Sequence, residues 1–192
     1  MVVRYVQNIS NENYDFNYKW VKLEDVSKVT VRAIVASEDG RFMQHSGFDF
    51  EEIAKMKREY ERKGKKFRGC STISQQVAKN CFTFGTRTWI RKGFEAYYTI
   101  LIELLWGKER IMEVYLNVAE MGPGVFGVEA TANKYFGTSA KRITTEQAVS
   151  IATVLPNPLK RNINRASQTH RTRYSIIYSN TMKTSYPFTK KN

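Results

Sequence analysis

The adjacent acids Glu38 and Asp39 are the first candidates for proton-transfer chemistry in this sequence. They end an apolar segment, residues 29–38, whose composition predicts a buried helix. A carboxyl group that emerges from apolar surroundings is partly desolvated, which raises its pKa and suits a general acid or base. A carboxylate at a helix C-terminus opposes the helix dipole, so helix stability does not explain the pair. A solvated pair of surface acids stays open as the ordinary alternative.

A second set of polar residues is predicted to share one face of a short helix. Thr72 and Gln75 form a capping box that starts a helix over residues 72–81. Ser71, Gln75 and Lys79 recur at i+4 spacing, so a hydroxyl, an amide and an ammonium group point the same way. These groups suit sugar hydroxyls and phosphate oxygens, and the helix N-terminus adds backbone N–H donors. An ordinary polar helix face explains the same pattern equally well.

Two further polar positions lie on predicted helices. Arg91 and Glu95 are i,i+4 neighbours, with the arginine first, which is the less favourable order for a helix pair. A surface salt bridge, worth less than about 1 kcal/mol, is their ordinary explanation. Asn117 follows Glu113 by four residues, and its side chain is predicted to hold a loop by hydrogen bonding to the backbone of that loop. A buried structural amide and a contact with substrate both stay open for Asn117.

Several common chemistries are not expected from this sequence. Its only histidines, His45 and His170, are far apart, which argues against a histidine metal cage or a Ser-His-Asp triad. There is no GxxxxGK[ST] loop and no GxGxxG after a predicted strand, which argues against these nucleotide-binding motifs, and no SxxK marks a penicillin-binding transpeptidase. The 31 Lys and Arg against 18 Asp and Glu give a net charge of +13. This balance predicts a polyanionic partner, namely nucleic acid, an anionic membrane or a phosphate-bearing substrate.

The elements that would position these residues are predicted to be helices. An apolar fraction of 42% with only 4 prolines and 11 glycines favours a folded, mainly α chain of one domain. Capping boxes, glycine stops and apolar periodicity predict helices over residues 29–38, 50–63, 72–81, 88–106, 109–120, 125–136 and 144–155, with a last helix in the C-terminal tail. The long helix at 88–106 is predicted to bury a stripe of Ile90, Phe94, Tyr97, Leu101 and Leu104.

Five spaced motifs together resemble one family, the peptidoglycan glycosyltransferases (glycosyltransferase family 51). These enzymes also form the first catalytic domain of bifunctional penicillin-binding proteins. The motifs are EDGRFMQHSGFD (38–49), GCSTISQQVAKN (69–80), RKGFEA (91–96), KERIMEVYLN (108–117) and GVEATANKYFG (127–137). The chain length and the missing SxxK favour the monofunctional branch, with one domain over residues 1–192 and a motif-bearing core at about 29–160.

The resemblance implies a helical fold with a lysozyme-like large lobe and a smaller, membrane-facing lobe. It implies polymerisation of lipid II into β-1,4-linked glycan strands, with inversion at the donor anomeric carbon and release of undecaprenyl pyrophosphate. Glu38 matches the catalytic base that deprotonates the acceptor 4-hydroxyl. Glu95 matches the second glutamate, which assists the leaving pyrophosphate directly or through a divalent cation. No cofactor is expected to be required, although Mg or Mn near the pyrophosphate is compatible with the family.

The same resemblance implies roles for other residues. Lys79 and Arg87 match positions that hold the donor phosphates, while Ser71, Gln75 and Arg91 match substrate-binding positions. The expected supporting residues are Asp39, Phe42, His45, Thr72, Gln76 and Asn117. None of these positions is expected to bind a metal ion as a resident ligand. Two residues depart from the family pattern: Cys70 replaces a usual alanine or glycine, and Phe94 replaces a residue that is often polar.

The family also implies a place of action. The expected site is the periplasmic face of a bacterial inner membrane, with lipid II, the lipid-linked glycan chain and an anionic leaflet as partners, and with division or elongation proteins as further candidates. Phe82, Phe84 and Trp89 are expected either to dip into the membrane interface or to pack under a loop. The N-terminal transmembrane helix usual in the family does not occur in this sequence, and we expect that it has been trimmed.

Two other functions account for part of the sequence. A lysozyme-like hydrolase or lytic transglycosylase also uses two carboxylates on a helical domain, but cleavage of finished glycan involves no pyrophosphate for Lys79 and Arg87 to bind. A basic nucleic-acid-binding module would use the net charge, but the basic residues form no recognisable reading helix or RNP-type strand. We therefore expect no nucleic-acid partner.

Overall fold

The computed structural model describes residues 15–64, 70–83, 88–163 and 168–188. The α-helices in these ranges are α1 (Lys28–Glu38), α2 (Phe50–Lys63), α3 (Ile73–Phe82), α4 (Trp89–Leu105), α5 (Lys108–Val118), α6 (Val128–Phe136), α7 (Thr145–Val154) and α8 (Gln168–Lys183). Three short strands are β1 (Asn17–Tyr18), β2 (Glu120–Gly122) and β3 (Val125–Phe126). The mainly α class is thereby confirmed, and it is consistent with a lysozyme-like fold.

Local capping explains where several helices begin and end. The side chains of Asp49, Thr72 and Thr144 each accept a hydrogen bond from the backbone N–H three residues later. At Thr72 and Thr144 the glutamine side chain returns the bond, so these two predicted capping boxes are present, whereas the box predicted for Asp49 and Glu52 has only the bond to Asp49. Gly64 ends α2 in the left-handed conformation, at φ 59°, which is favourable for glycine. These predicted boundaries are confirmed.

The core is built around α1, which packs against α7 and α8. Val31, Ala33 and Ile34 are fully buried in it, as the apolar sequence of this segment predicts. Arg32 on the same helix clamps the end of α8: its Nε donates to the Thr184 carbonyl at 2.6 Å, and its Nη2 donates to the Thr181 carbonyl at 2.7 Å. Helix α3 packs in turn against α4 and α5. The C-terminal helix is therefore an integral part of the core.

The predicted helix over residues 125–136 is wrong in its first turn. Residues 125 and 126 form β3, which pairs parallel with β1 and antiparallel with β2. Gly127 has φ 81°, and a Cβ at this position would lie 2.8 Å from the Asn117 carbonyl oxygen, so only glycine fits the turn into α6. Helix α5 ends at Val118, two residues before its predicted end, because Ala119 is extended and the chain continues into β2.

The prediction of a buried stripe on α4 is also wrong. Ile90 and Leu104 are 75% and 76% exposed, and Phe94 and Tyr97 are exposed as well, whereas Leu101 is half-buried. The opposite face, with Glu95, Thr99 and Ile102, is the buried one. Periodicity identifies residues that share a helix face, but it does not determine which face turns towards the core. Helix α4 therefore carries an outward apolar face on the described part of the molecule.

Candidate active site

Glu38 is the last residue of α1, and its side chain is only 10% exposed. Gln76 Nε2 donates to its Oε2 at 3.2 Å, and Arg173 Nη2 lies 3.4 Å from its Oε1. Burial raises the pKa of Glu38, while the Gln76 hydrogen bond and the positive charges of Arg173, Lys79 and Arg161 lower it; the net direction is upward. Glu38 is therefore a desolvated carboxyl group of the kind that suits a general base.

The orientation of the Gln76 amide is fixed by Tyr115. The Tyr115 hydroxyl lies 3.5 Å from Gln76 Oε1, to which it donates, and its side chain is fully buried on α5. Burial, together with the negative charges of Glu38 and Asp39, holds the pKa of Tyr115 well above its usual value. The hydroxyl therefore keeps its proton as a donor. This contact turns the NH₂ group of Gln76 towards Glu38.

The residues that follow Glu38 anchor it to the start of α3. Asp39 Oδ2 accepts a hydrogen bond from the Ile73 backbone N–H at 3.0 Å, and its Oδ1 lies 2.9 Å from His45 Nε2. Phe42 is fully buried and packs edge-on against the His45 ring. The Thr72 hydroxyl donates to the Gly47 carbonyl at 2.6 Å. The expected supporting residues of the first two motifs thus hold this loop against the α3 N-terminus.

Asp39, His45 and Asp49 also form a compact set of possible metal ligands, with one ligand atom of each within 4.8 Å of the others. Their oxygens already accept hydrogen bonds or ion pairs, however. Asp39 binds His45 and the α3 backbone, while Asp49 caps α2 and lies 3.3 Å from Arg41 Nε. The set therefore acts as a hydrogen-bonded support for the loop.

Glu95 lies beside a cleft of about 470 Å³ between α3 and the start of α4. The cleft is lined by Ser71, Gln75, Gln76, Lys79, Thr83, Arg91, Lys92 and Glu95. The Glu95 residue is 3% exposed and its carboxylate is ion-paired twice, with Arg91 Nη1 at 3.4 Å and with Lys92 Nζ. The expected surface salt bridge is therefore a buried carboxylate flanked by two cations. This wall of the cleft suits an anionic ligand.

The polar face predicted for α3 does open onto this cleft, with one difference. Ser71 and Lys79 are exposed there, but Gln75 is buried, and its Oε1 accepts a hydrogen bond from the Thr72 backbone N–H at 3.0 Å. The capping box therefore occupies the amide oxygen of Gln75. Arg87 lies outside the described residues.

Asn117 does not line this cleft. Its side chain is fully buried, donates to the carbonyls of Val21 and Glu113, and accepts from the Val21 N–H at 2.8 Å. This is the backbone-holding contact predicted for the amide. Among its described contacts, Asn117 ties the N-terminal segment to α5.

A second cleft, of about 360 Å³, lies on the other side of Gln76 and Lys79. It is lined by Gln76, Lys79, Asn80, Tyr115, Ala119, Glu120 and residues 155–159. Because both clefts include Gln76 and Lys79, the hydrogen-bonding partner of Glu38 stands at their boundary. Glu38 is not among the described lining residues of either cleft, and it is linked to their boundary through the hydrogen bond that Gln76 donates to it.

Three residues of this site were missed from the sequence. Lys92 lies one residue from Arg91, and its i,i+3 spacing to Glu95 was a usable signal. Tyr115 and Arg173 gave no such signal, because their partners are 39 and 135 residues away in the sequence. Only the packing of α5 and α8 brings them to the site.

The expected interfacial aromatic residues separate into different environments. Phe82 is half-buried and stacks on Tyr98, with ring centroids 4.9 Å apart, so packing is the correct alternative for it. Trp89 is 92% exposed at the start of α4. Phe84 lies outside the described residues. Across the described ranges, no helix combines the length and the apolar character needed to cross a bilayer.

A helical domain with a buried carboxylate in a cation-lined cleft and a second buried carboxyl group nearby is compatible with enzymes that act on glycosidic or phosphate-linked sugars. The family is identified by comparison with known proteins. The transglycosylase family model matches residues 4–182, and the chain belongs to this family. The family predicted from the motifs is thereby confirmed.

Individual relatives agree with this assignment. The chain is 51% identical over 168 residues to a biosynthetic peptidoglycan transglycosylase of Bdellovibrio bacteriovorus, covering 87% of this chain and 67% of the relative. It is 49% identical over 168 residues to the protein of that name from Bacteroides thetaiotaomicron, with the same coverage. A third, from Haemophilus influenzae, is 49% identical over 154 residues, or 80% of this chain and 63% of the relative. The chain spans about two thirds of the length of these relatives.

Proposed function

We propose that this protein is a peptidoglycan glycosyltransferase that polymerises lipid II. The observation that carries the proposal is the position of Glu38, a buried carboxyl group with a raised pKa that accepts a hydrogen bond from Gln76, the residue at the boundary of two clefts. One of these clefts is lined by cations that suit a pyrophosphate. The names of the relatives, all biosynthetic peptidoglycan transglycosylases, support the same reaction.

In the proposed reaction Glu38 accepts the proton of the acceptor 4-hydroxyl. The freed oxygen forms a bond to the donor anomeric carbon, while the bond from that carbon to the pyrophosphate oxygen breaks. The electron pair leaves with undecaprenyl pyrophosphate, and attack from the opposite face inverts the anomeric configuration. Two clefts that meet at Gln76, the hydrogen-bonding partner of the proposed base, would let acceptor and donor approach from different sides.

The charge of the leaving pyrophosphate would be offset by the cations of the Glu95 cleft. Lys79, Arg91 and Lys92 line it, and preorganised cations stabilise charge that develops as a bond breaks. Glu95 is ion-paired to both Arg91 and Lys92, so in this proposal it holds these two cations in place. Its assistance to the leaving group is therefore indirect.

A divalent cation fits this cleft poorly. Mg²⁺ and Mn²⁺ prefer several oxygen ligands, whereas Glu95 is the one carboxylate among the described lining residues, and it already pairs with two cations. We therefore propose charge neutralisation by side chains. Polymerisation should persist in EDTA, and full loss that Mg²⁺ or Mn²⁺ restores would contradict this part of the proposal.

We further propose that the protein works on the outer face of the cytoplasmic membrane. The exposed apolar face of α4, with Trp89, Ile90, Phe94 and Leu104, is adjacent along the helix to the cation-lined cleft. Burial of such a face in the interfacial region is favourable, and the net charge of +13 adds attraction to anionic lipids. This placement would bring the cleft to the depth of the lipid-linked pyrophosphate.

The test is polymerisation of labelled lipid II by the parent chain and by Glu38→Gln. The exposed Glu61 provides a matched control, Glu61→Gln, on α2. Strands from the parent and the control, but not from Glu38→Gln, are the expected result. Retained turnover by Glu38→Gln would contradict the assignment of the base. Release of fragments from purified sacculi, with no use of lipid II, would instead favour the hydrolase.

A further inference from the structure

Arg173 reaches Glu38 from α8, a region without the motifs that identified the family. Its Nη2 lies 3.4 Å from Glu38 Oε1 across 135 residues of sequence. We propose that Arg173 is a positioning residue: it fixes one oxygen of the Glu38 carboxylate and favours its charged form. This inference rests on the proposed function of Glu38 as the base.

The two oxygens of Glu38 are held from two different helices. Gln76 on α3 donates to Oε2, and Arg173 on α8 contacts Oε1. Because each carboxylate oxygen can accept more than one hydrogen bond, this arrangement fixes the plane of the group and leaves room for a substrate hydroxyl. Tyr115 in turn orients Gln76. A base with a fixed plane can receive its proton along a defined direction.

The arginine is delivered by a firmly packed helix. On α8, Ile177 and Thr181 are buried, and Arg32 of α1 binds the carbonyls of Thr181 and Thr184. Since Glu38 ends α1, this clamp ties the helix of the base to the helix of its partner. The side chain of Arg173 is 28% exposed, so the pair is better shielded than an ordinary surface salt bridge, which contributes little.

Several charged or titratable groups face Glu38 from the elements packed around it. Lys79 lies on α3, Arg161 follows α7, Arg173 lies on α8, and the Tyr115 hydroxyl comes from α5. The neighbouring Asp39, on the loop after α1, is paired with His45. The three cations oppose the effect of burial on the Glu38 pKa. Loss of one of them should therefore raise that pKa further.

The sign of the expected effect follows directly. A general base works only when ionised, so a higher pKa moves the acidic limb of the pH–rate profile to higher pH. Below that limb the rate falls about tenfold for each pH unit of the shift. An arginine that served only to hold the fold would lower the rate or the stability at all pH values and would leave the limb in place.

The experiment compares pH–rate profiles of lipid II polymerisation by the full chain and by Arg173→Gln, with Arg171→Gln as the control. Arg171 is exposed on the same helix, so its variant loses the same charge without the contact. We expect the acidic limb to move to higher pH in Arg173→Gln only. Arg173→Lys, which keeps the charge, should return the limb towards the parent position.

An unmoved limb in Arg173→Gln would overturn the inference, as would an equal shift in Arg171→Gln. If Arg173→Gln does not fold, Arg173→Met decides: this variant keeps a long side chain but removes the charge, so its acidic limb should also move to higher pH, and an unmoved limb would overturn the inference. Glu38→Gln is measured alongside. Activity retained by that variant would refute the proposed base itself, whereas its inactivity with an unmoved Arg173→Gln limb would refute only the role of Arg173.

Discussion

Glu38 at the end of α1 and Glu95 in the middle of α4 are both buried carboxylates, but their surroundings differ in kind. Glu38 is held by the neutral amide of Gln76 and by one arginine, and burial raises its pKa. Glu95 is ion-paired to two adjacent cations on its own helix. The first environment suits a group that must take up a proton, and the second suits a group that must hold positive charge in place.

The helices that carry the two glutamates differ in the same way. Helix α1 is enclosed by α7 and α8, and its residues Val31 and Ile34 are fully buried. Helix α4 turns Ile90 and Leu104 outwards. The proposed base thus lies in the rigid core, where its geometry is fixed. The proposed pyrophosphate side lies on a helix whose outer face suits the membrane that supplies the lipid-linked donor.

The largest expected effect separates the activity of Glu38 from its contribution to stability. Glu38→Gln should lower polymerisation by about 10²- to 10⁴-fold, the usual contribution of a general base. A carboxyl group with a raised folded-state pKa favours folding below its unfolded pKa and loses that contribution as the pH rises through the folded value. The variant should therefore unfold at an equal or higher temperature than the parent at neutral pH, and the difference should shrink in acid. Thermal unfolding across pH measures this, and a variant that is less stable at every pH would contradict it.

The cation-lined side is tested next by Lys79→Ala. Loss of one charged hydrogen bond to a phosphate costs about 1.5–3 kcal/mol, which corresponds to a fall in kcat/KM for lipid II of about 10- to 150-fold. The exposed Lys57 provides the control, Lys57→Ala, on α2. Steady-state kinetics with unfolding curves of both variants make the measurement. An unchanged rate for Lys79→Ala would remove its proposed phosphate role.

Glu95→Gln sharpens the contrast with Glu38→Gln in stability. Because Glu95 is 3% exposed and paired with Arg91 and Lys92, its neutral replacement should lower the free energy of unfolding by about 1.5–3 kcal/mol. Urea denaturation at neutral pH should give a lower free energy of unfolding for Glu95→Gln and an unchanged or higher one for Glu38→Gln. Equal changes in the free energy of unfolding of both variants would mean that the two carboxylates do not differ in their contribution to stability.

The outward face of α4 is tested by Ile90→Gln and Leu104→Gln. Each side chain should lose up to about 1.5–3 kcal/mol of favourable burial in an interface, which weakens binding to anionic vesicles. Ile176→Gln removes an exposed apolar side chain from α8 and is the matched control. Vesicle co-sedimentation makes the comparison. Equal losses in the test and control variants would assign membrane binding to charge alone.

The smallest effect is expected at Cys70, where the family resemblance leads us to expect alanine or glycine, and which precedes the cleft residue Ser71. Cys70 is a free, half-buried thiol, and burial raises its pKa, which disfavours the reactive thiolate. Cys70→Ala should change stability by less than about 0.5 kcal/mol and leave polymerisation near the parent rate. Loss of activity in the same assay would show that this departure matters to substrate binding.

The sequence by itself determined the helices that depend on short-range chemistry. The helix caps can be predicted from the sequence because each joins a side chain to the backbone N–H three residues later. The capping residues are Asp49, Thr72 and Thr144. The order of the motifs determined the family, and with it the residues to examine in the cleft. It also placed Glu38 at the end of an apolar helix, where desolvation follows from local composition.

The tertiary structure decided what depends on contacts between distant segments. Packing against α3 and α5 determines which face of α4 turns inwards. The sequence period shows which residues share a face but not which face is buried. The turn at Gly127 depends on the approach of the Asn117 backbone. Arg173 meets Glu38 only because α8 packs on α1, since no local pattern links residues 135 positions apart. The sequence carries the chemistry of each side chain, and packing of the helices determines which of them meet.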